Sequence, residues 1–218
     1  MSKTRVTGCF STPLDALLGT RSKVGVLRVV AASPVPLGYR EVSRRANMAF
    51  RSIELAIREL LQLGILTGID GSRERLVAIS GTHRLAGAIQ ALLRAEADFL
   101  PAWRSELRAL AGQGLRDGLQ AVAVIGAASR DTETVGEPLE LLLLGEDIAA
   151  VTRWIRQFER AASGLTARFG ITLRLTGYEL AEARKLWRTR TPAAEQTIRE
   201  AELLAGPPLI DLLEPPPG

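Results

Sequence analysis

The stretch that most constrains the fold is the amphipathic segment 50–63. Its apolar residues recur at spacings of three and four, which is the period of one face of an α-helix. These residues are Ile53, Ala56, Ile57, Leu60 and Leu61. Gly64 follows the last of them, and glycine commonly ends helices. A helix with such an apolar face must bury it, so we expect this segment to pack on its neighbours in the chain.

A shorter helix is predicted immediately before this segment. Its apolar residues at helical spacing are Tyr39, Val42 and Ala46. Gly38 is placed to act as the N-cap. Asn47 interrupts the pattern, and because asparagine tolerates the left-handed backbone it suits a sharp turn between two crossing helices. Met48 is expected to pack beneath that turn.

A basic β-hairpin is predicted directly after the second helix. Its strands are Ile65–Thr67 and Arg75–Ile79, and the Asp-Gly pair at positions 70 and 71 is typical of a hairpin turn. Arg73 and Arg75 place positive charge on this hairpin. An N-terminal helix over 22–32, preceded by a short one over 14–18, would complete the packing.

Two helices at a sharp turn, followed by a basic hairpin, favour DNA binding. In such a motif the second helix enters the major groove and its first residues contact base edges. The residues expected on that side are Ala49, Phe50, Arg51, Ser52, Glu54 and Leu55. Arg51 is suited to guanine, and Ser52 to a base or a phosphate. The residues better suited to phosphate contacts, which position a protein without reading sequence, are Arg40, Arg44, Arg45, Arg58, Arg73 and Arg75.

The charge distribution also favours an anionic partner for this end of the chain. Residues 1–80 contain 12 Lys and Arg against 6 Asp and Glu, a net charge of +6. The remaining residues contain 16 against 18, a net charge of −2. An alternative reading is an amphipathic helical hairpin whose charged face is only solvated, or one that binds another protein.

Residues 14–79 as a group resemble the bacterial winged helix-turn-helix regulators. The lead-in LLGTRSKVGVLRVV and the helix ending RELLQLGIL carry the resemblance. It implies a DNA-binding domain over residues 1–82 whose partner is double-stranded DNA.

A long, largely apolar helix is predicted from about His83 to Leu110, followed by a break at Gly112-Gln113-Gly114. Pro101 lies inside it and is able to kink or split it. We expect residues 83–114 to connect two domains. The segment is too apolar to stand alone in water, so we also expect it to form the seam of a homodimer.

The third part of the chain, residues 115–218, alternates strands and helices. Strands are predicted at Ala121–Ile125, Leu139–Leu144 and Ile171–Leu175, with a long helix at Ile148–Arg168 between the last two. Residues 176–180 would enter a helix ending at Trp187, residues 193–205 a terminal helix, and Pro207–Leu213 an edge strand. The expected class is therefore α+β, with an N-terminal winged helix-turn-helix, a long connecting helix and a C-terminal α/β domain.

Over residues 115–190 this element order, with its Gly-small-x-x-Arg loop, resembles the minimal nucleotidyltransferase fold. A generic α/β domain is the alternative. The resemblance implies a Gly-Ser pair after the first strand and an Asp-x-Asp pair at the second, which holds metal ions. This sequence has Gly126-Ala127 and Pro138-Leu139-Glu140 instead, and Arg174 stands on the third strand. We therefore expect a catalytically inactive domain, with no metal and no cofactor.

Two alternatives remain open for this domain. The loop acids Asp131, Glu133 and Glu137 could replace the missing carboxylates, which would make the chain an active nucleotidyltransferase of the toxin–antitoxin type. Arg130 or Arg174 could instead hold an anionic small-molecule effector. The expected roles are dimerisation or sensing in a transcriptional regulator.

The remaining composition excludes several site classes. Cys9 is the only cysteine and His83 the only histidine, so an intrachain disulfide, a histidine metal cluster and a Ser-His-Asp triad are excluded. Residues 1–12 are mixed and polar, which predicts no signal peptide. The longest apolar run, Leu139–Leu144, is interrupted by Glu140 and is far too short to span a bilayer. We expect no membrane partner and a cytoplasmic location.

Overall fold

The computed structural model describes Phe10, Thr12, Leu18 and residues 20–70, 75–189 and 191–214. These residues form a mixed α+β structure with two separate β-sheets. The chain divides into two compact units, one over Thr12–Asp98 and the other over Phe99–Gly218 together with Phe10. We refer to them as the N-terminal unit and the C-terminal unit.

A cluster of helices and a small antiparallel sheet make up the N-terminal unit. The helices are α1 (Arg21–Ala31), α2 (Tyr39–Ala46) and α3 (Phe50–Gln62), and the strands are β1 (Leu37–Gly38), β2 (Leu66–Asp70) and β3 (Arg75–Ile79). β3 lies between β1 and β2. The three helices and the hairpin confirm the predictions for 22–79. The sequence pattern does not predict β1, because a two-residue strand has no period and forms only by pairing with β3.

The turn between α2 and α3 has the backbone geometry that the sequence predicts. Asn47 adopts the left-handed conformation, with φ 51° and ψ 47°. The Met48 N–H donates to the Ser43 carbonyl at 3.3 Å, and the Ser43 hydroxyl donates to the Met48 carbonyl at 2.7 Å. The Met48 side chain packs on the core of the unit, beside Gly25 of α1. A Cβ at Gly25 would lie 3.1 Å from Met48 Cε, so this glycine gives the turn its space.

The end of α3 is fixed by a Schellman motif. Gly64 has a φ of +71°, which favours glycine. The Ile65 N–H donates to the Leu60 carbonyl and the Gly64 N–H to the Leu61 carbonyl, both at 3.0 Å. The buried stripe of the helix consists of Ile53, Ala56, Ile57 and Leu60. Both the predicted stop and the predicted buried face are confirmed, with Leu61 only partly buried.

A four-stranded sheet organises the C-terminal unit. Its strands are β4 (Leu119–Ile125), β5 (Leu139–Gly145), β6 (Leu173–Glu179) and β7 (Glu202–Ala205), in the spatial order β6-β5-β4-β7. β5 and β6 run parallel, and the other pairs are antiparallel. The helices are α4 (Ala86–Leu115), which begins in the N-terminal unit, α5 (Ile148–Phe169), α6 (Leu180–Trp187), α7 (Pro192–Glu200) and α8 (Leu209–Leu213).

Both faces of this sheet are covered, which explains why β4 and β5 are apolar at every position except Gln120 and Glu140. On β4, Val122 and Val124 belong to a core with residues of α4 and α5. Ala121 and Ala123 belong to a second core with residues of α6 and α8. We call these the α5-side core and the α6-side core. Strands covered on both faces form continuous apolar runs and lose the usual alternation with polar residues.

The predicted end of the long helix at Leu110 is wrong. α4 continues through the glycines at 112 and 114 as far as Leu115. Each glycine costs a helix about 1 kcal/mol relative to alanine, but packing overrides this cost. Ala111 is fully buried, and Gly114 leaves room for Leu119, whose Cδ1 lies 2.5 Å from the position of a Cβ. The helix begins at Ala86 and includes Pro101 without being divided.

Three further predictions in the C-terminal unit are wrong because strand pairing is not a local property. Residues 176–179, predicted to enter a helix, extend β6, which pairs with β5 as far as Glu179 opposite Gly145. The predicted helix over 193–205 ends at Glu200, and Glu202–Ala205 pairs with β4 as strand β7. The predicted edge strand at Pro207–Leu213 is instead the short helix α8.

Several predicted features lie wholly or partly outside the described residues. They are Cys9, the helix over 14–18, the turn residue Gly71 and the candidate phosphate contact Arg73. Within the described ranges, no helix combines the length and apolar character that crossing a membrane requires.

The contact between α5 and β6 gives a test of this packing. A Cβ at Gly177 would lie 2.4 Å from Val151 Cγ1 and 3.0 Å from Ile155 Cδ1. We expect Gly177→Ala to lower the free energy of unfolding by about 1–3 kcal/mol through overpacking. Val151→Ala in the same chain should recover part of that loss, because it removes the colliding methyl group. The measurement is urea unfolding of both variants and the double variant.

Gly112→Ala is the matched control for this prediction. Gly112 lies inside α4, and a Cβ added to it would meet nothing within 4 Å, so alanine should stabilise by about 0.5–1 kcal/mol. Equal effects of the two glycine substitutions would contradict the close α5–β6 packing.

Candidate nucleic-acid interface

The outward face of α3 brings together most of the predicted base-contacting residues. Ala49, Phe50, Arg51, Ser52, Leu55 and Arg58 are exposed and Glu54 is half-buried, whereas Ile53, Ala56 and Ile57 are buried on the opposite side. Phe50 is 44% exposed and Leu55 54%, which is high for large apolar side chains. In a DNA groove such side chains contact thymine methyl groups. The face therefore offers cationic, hydroxyl and apolar contacts side by side.

The N-terminus of α3 lacks a capping side chain. Ala49 occupies the N-cap position in an extended conformation and makes no side-chain cap hydrogen bond. The first N–H groups of a helix have no partner within the helix, and together with the helix dipole they attract anions. The first turn of α3 is therefore suited to a phosphate, next to Arg51.

Two of the predicted contact arginines are available for a ligand. Among the described residues, neither Arg40 nor Arg51 has an ion-pair or hydrogen-bond partner, and both are exposed. Arg58 makes only a long contact to Glu54, at 3.4 Å, one turn away on the same helix. Exposed pairs of this kind contribute little stability, so Arg58 can exchange Glu54 for a phosphate at small cost.

Arg44 and Arg45, predicted as phosphate contacts, are both held by one carboxylate. Glu41 accepts from Arg44 at 2.6 and 2.9 Å and from Arg45 at 2.5 Å. The hydrogen bonds from Arg44 and then Arg45 lower the pKa of Glu41 from 4.5 to about 2. Its ion pairs therefore persist from neutral pH down through the usual range of glutamate titration. Phosphate would have to compete with Glu41 for these two arginines.

Glu41 is the residue that the sequence analysis missed in this region. Its spacing from Arg44 and Arg45, three and four residues along one helix, is the spacing at which side chains on a helix surface meet. The pairing could therefore have been predicted from the sequence.

The hairpin contributes one described cation. Arg75 is exposed at the start of β3, opposite Asp70, and its guanidinium lies over Gly68 of β2. A Cβ at Gly68 would lie 2.7 Å from Arg75 Nε, so the glycine provides the surface on which this side chain rests.

On β5 and β6 of the C-terminal unit, an ion pair occupies the positions where the resemblance to nucleotidyltransferases implies metal ligands. Glu140 on β5 accepts from Arg174 on β6 at 2.9 Å, and the two residues are register partners. Glu140 Oε2 also lies 3.1 Å from where a Cβ at Gly126 would be, which favours glycine there. Arg130, the other expected anion contact, donates to Glu200 at 2.8 Å, and hydrogen bonds from Gln196 and Arg130 lower the pKa of Glu200.

The loop acids do not converge on Glu140. Glu133 is buried, and its Oε1 accepts from the Phe10 N–H at 2.7 Å. Burial raises the pKa of Glu133, and the hydrogen bond from Phe10 offsets only part of this effect. Glu137 accepts from the Thr134 N–H at 2.9 Å. Within the described residues, no group of three or more His, Cys, Asp or Glu is placed to hold a metal ion.

The role of Glu41 gives a direct test of the interface. Glu41→Gln releases Arg44 and Arg45. If α2 contacts a DNA duplex, as the sequence predicts, this change should tighten duplex binding and increase its dependence on salt. The plot of log K against log salt concentration should become steeper by about 1–2, since each additional phosphate contact adds about 0.9. Titrations at several salt concentrations measure this slope.

Glu106→Gln is the matched control for charge. It changes the net charge equally and releases Arg168 in the C-terminal unit. If both variants steepen the slope equally, the effect comes from overall charge, and α2 does not contact the duplex.

Comparison with known proteins gives no assignment. No protein-family model matches the sequence, and no curated protein matches it. One similar solved structure is human N-acetylserotonin methyltransferase in complex with SAM, at 14% identity and a TM-score of 0.26, over 37% of this chain and 26% of that chain. This chain thus spans about a quarter of the methyltransferase. Another is a mutant of the toxin–antitoxin MntA–HpeT, at 17% identity and a TM-score of 0.32, over 50% and 78%. Likenesses this weak carry no argument about function.

Proposed function

We propose that this protein is a sequence-specific, double-stranded DNA-binding transcriptional regulator. Its N-terminal unit would be a winged helix-turn-helix and α3 its recognition helix. The observation that carries the proposal is the exposed side of α3, which combines an uncapped helix N-terminus, an Arg51 with no partner among the described residues, and exposed Phe50 and Leu55. An α-helix fits the major groove of B-DNA, and these side chains match the groups that base edges present.

In this proposal the arginines divide into two roles. Arg51, at the start of α3, reads a base edge, with guanine as its best partner. Arg40, Arg58 and Arg75 contact phosphates, and they are exposed on α2, α3 and β3. The net charge of +6 over residues 1–80 supports attraction of a polyanion to this end of the chain.

We propose further that the C-terminal unit is nucleotidyltransferase-like and catalytically silent. Two-metal phosphoryl transfer needs several hard oxygen ligands close together. Glu140 is the single strand carboxylate at the expected position, and it is paired with Arg174. The loop acid Glu133 is directed at the Phe10 N–H. These contacts support a domain that serves sensing or assembly.

A homodimer is also part of the proposal, but fewer apolar residues of the long helix are exposed for a dimer interface than the sequence suggests. Trp103 and Leu107 of α4 are 1% exposed because they pack within their own unit, so they cannot form a seam. Leu85 and Leu92 remain exposed, at 57% and 40%. A two-fold dimer would bind half-sites about 10 base pairs, or a multiple, apart.

A protein-binding role for the same face is the second candidate. The exposed Phe50 and Leu55 favour it, because exposed large apolar side chains are found at interfaces. The salt dependence of duplex binding separates the two functions. Contacts to phosphates give a steep slope, whereas apolar contacts to a protein do not.

Replacement of Arg51 tests the reading of bases. We expect Arg51→Ala to weaken binding to a preferred duplex by about 1–3 kcal/mol and to relax preference at one base pair. Arg51→Lys keeps the charge but loses the bidentate geometry, so it should lose preference while retaining most non-specific affinity. Titration of the preferred and a scrambled duplex measures both effects.

Arg40→Ala is the matched control for this measurement. It removes an equally unpaired arginine from α2 and should weaken both duplexes alike, with a salt slope smaller by about 1. If Arg51→Ala also weakens both duplexes alike, or neither, α3 does not lie in the groove as proposed.

The proposed absence of catalysis has its own test. We expect no magnesium-dependent incorporation of labelled nucleotide into protein, RNA or a small molecule, and no change of DNA binding in Glu140→Ala. Calorimetry with ATP and magnesium should give no tight binding. Tight, magnesium-dependent ATP binding that is lost in Glu140→Ala would identify an active nucleotidyltransferase and overturn this part of the proposal.

A further inference from the structure

A cavity of about 410 Å³ lies in the C-terminal unit, against the sheet face of the α6-side core. Residues of β4, β5 and β6 form its floor, and residues from α6, α7 and α8 form its walls. Its volume falls within the range of small-molecule sites, which is roughly 300–1,000 Å³. Leu186, one of the residues that line the cavity, is 48% exposed, so the cavity reaches the protein surface.

The lining of this cavity is apolar and uncharged. The larger apolar residues that line it include Ile125, Leu142, Leu144, Leu186, Trp187 and Leu213. None of the described lining residues carries a charge. The Trp187 N–H donates to Glu214 at 2.9 Å, so the indole has no donor left for a ligand.

The polar groups in the lining fall into two classes. The hydroxyls of Thr189, Thr191 and Thr197 already bond the Leu186 carbonyl, the Ala194 N–H and the Ala193 carbonyl. Within the described residues, the hydroxyls of Thr176 and Tyr178 have no hydrogen-bond partner. They alternate by two on β6, and side chains two apart on a strand project from the same face. Two lining residues on one face of β6 thus carry hydroxyls that have no partner among the described residues.

We infer that this cavity is a binding site for an uncharged, mainly apolar small molecule that hydrogen-bonds the hydroxyls of Thr176 and Tyr178. A charged ligand would be desolvated here without a compensating charge, which is costly. Neither Arg130 nor Arg174, the arginines considered for an anionic effector, is among the residues that line the cavity. A ligand of this cavity is therefore uncharged. Ligand binding is inferred from the cavity alone, whereas a sensing role for this site rests on the proposed function.

Three probes that share the naphthalene ring system test this inference: naphthalene, 2-naphthol and naphthalene-2-sulfonate. Their binding to the full chain, without DNA, is measured by calorimetry. We expect 2-naphthol to bind at one site per chain with a Kd of about 0.1–1 mM, which lies within the ceiling that ligand efficiency sets for so small a molecule. Naphthalene should bind more weakly, and the sulfonate at least tenfold more weakly than 2-naphthol.

Variants then locate the site. Thr176→Val and Tyr178→Phe keep the shape of the cavity and remove one hydroxyl each, so each should weaken 2-naphthol several-fold and leave naphthalene unchanged. Ala194→Trp fills the cavity and should abolish binding of both. Ala149→Trp, the same change at an exposed position on α5, is the control and should bind like the parent chain. A thermal melt checks that each variant is folded.

Three outcomes would overturn the inference. They are no saturable binding of 2-naphthol to the parent chain, binding of the sulfonate as tight as that of 2-naphthol, and unchanged binding in a folded Ala194→Trp. If Ala194→Trp does not fold, the probe comparison and the two hydroxyl variants still decide. Because DNA is absent, failure here leaves the proposed DNA binding untouched, and failure of DNA binding leaves this site untouched.

Discussion

The burial of one apolar stripe fixes the rotation of α3, and the proposed interface depends on that rotation. Ile53, Ile57 and Leu60 are at most 3% exposed, and each contributes about 1.5–3 kcal/mol by leaving water. Turning the helix by one residue would expose them, so Arg51 and Leu55 are held on the outward face. Asn47 before the helix and Gly64 after it fix its two ends. The residues that face outward on α3 are therefore set by the packing of the unit itself.

Charge pairing then decides which cations on the N-terminal unit are ready for a partner. Arg51 is unpaired among the described residues, whereas Arg44 and Arg45 share Glu41. A count of arginines would treat the three alike. In the proposed function Arg51 contacts a base directly, whereas Arg44 and Arg45 must first exchange Glu41 for a phosphate. In the C-terminal unit Arg130 and Arg174 are likewise paired, with Glu200 and Glu140, so an anion would have to replace a carboxylate there as well.

Features set by neighbouring residues could be predicted from the sequence, and features set by distant pairing could not. The stripe of α3, the left-handed Asn47 and the stop at Gly64 follow from local spacing and residue type. β1 and β7 exist only because β3 and β4 provide pairing edges far along the chain. The same holds for the candidate sites, because the hydrogen bond from Phe10 to Glu133 spans 123 positions. The outward residues of α3 could be predicted from the helical period of the sequence. The apolar cavity could not, because it forms only where three helices pack on one sheet.

The central claim is that α3 reads duplex DNA, and selection from a random duplex pool by the full chain tests it most directly. The expected result is an enriched sequence containing a guanine that Arg51→Ala no longer selects, with binding that weakens steeply as salt increases. A dimer would give two such half-sites about one helical turn, or a multiple, apart. No enriched sequence, together with salt-independent or undetectable duplex binding, would contradict the claim.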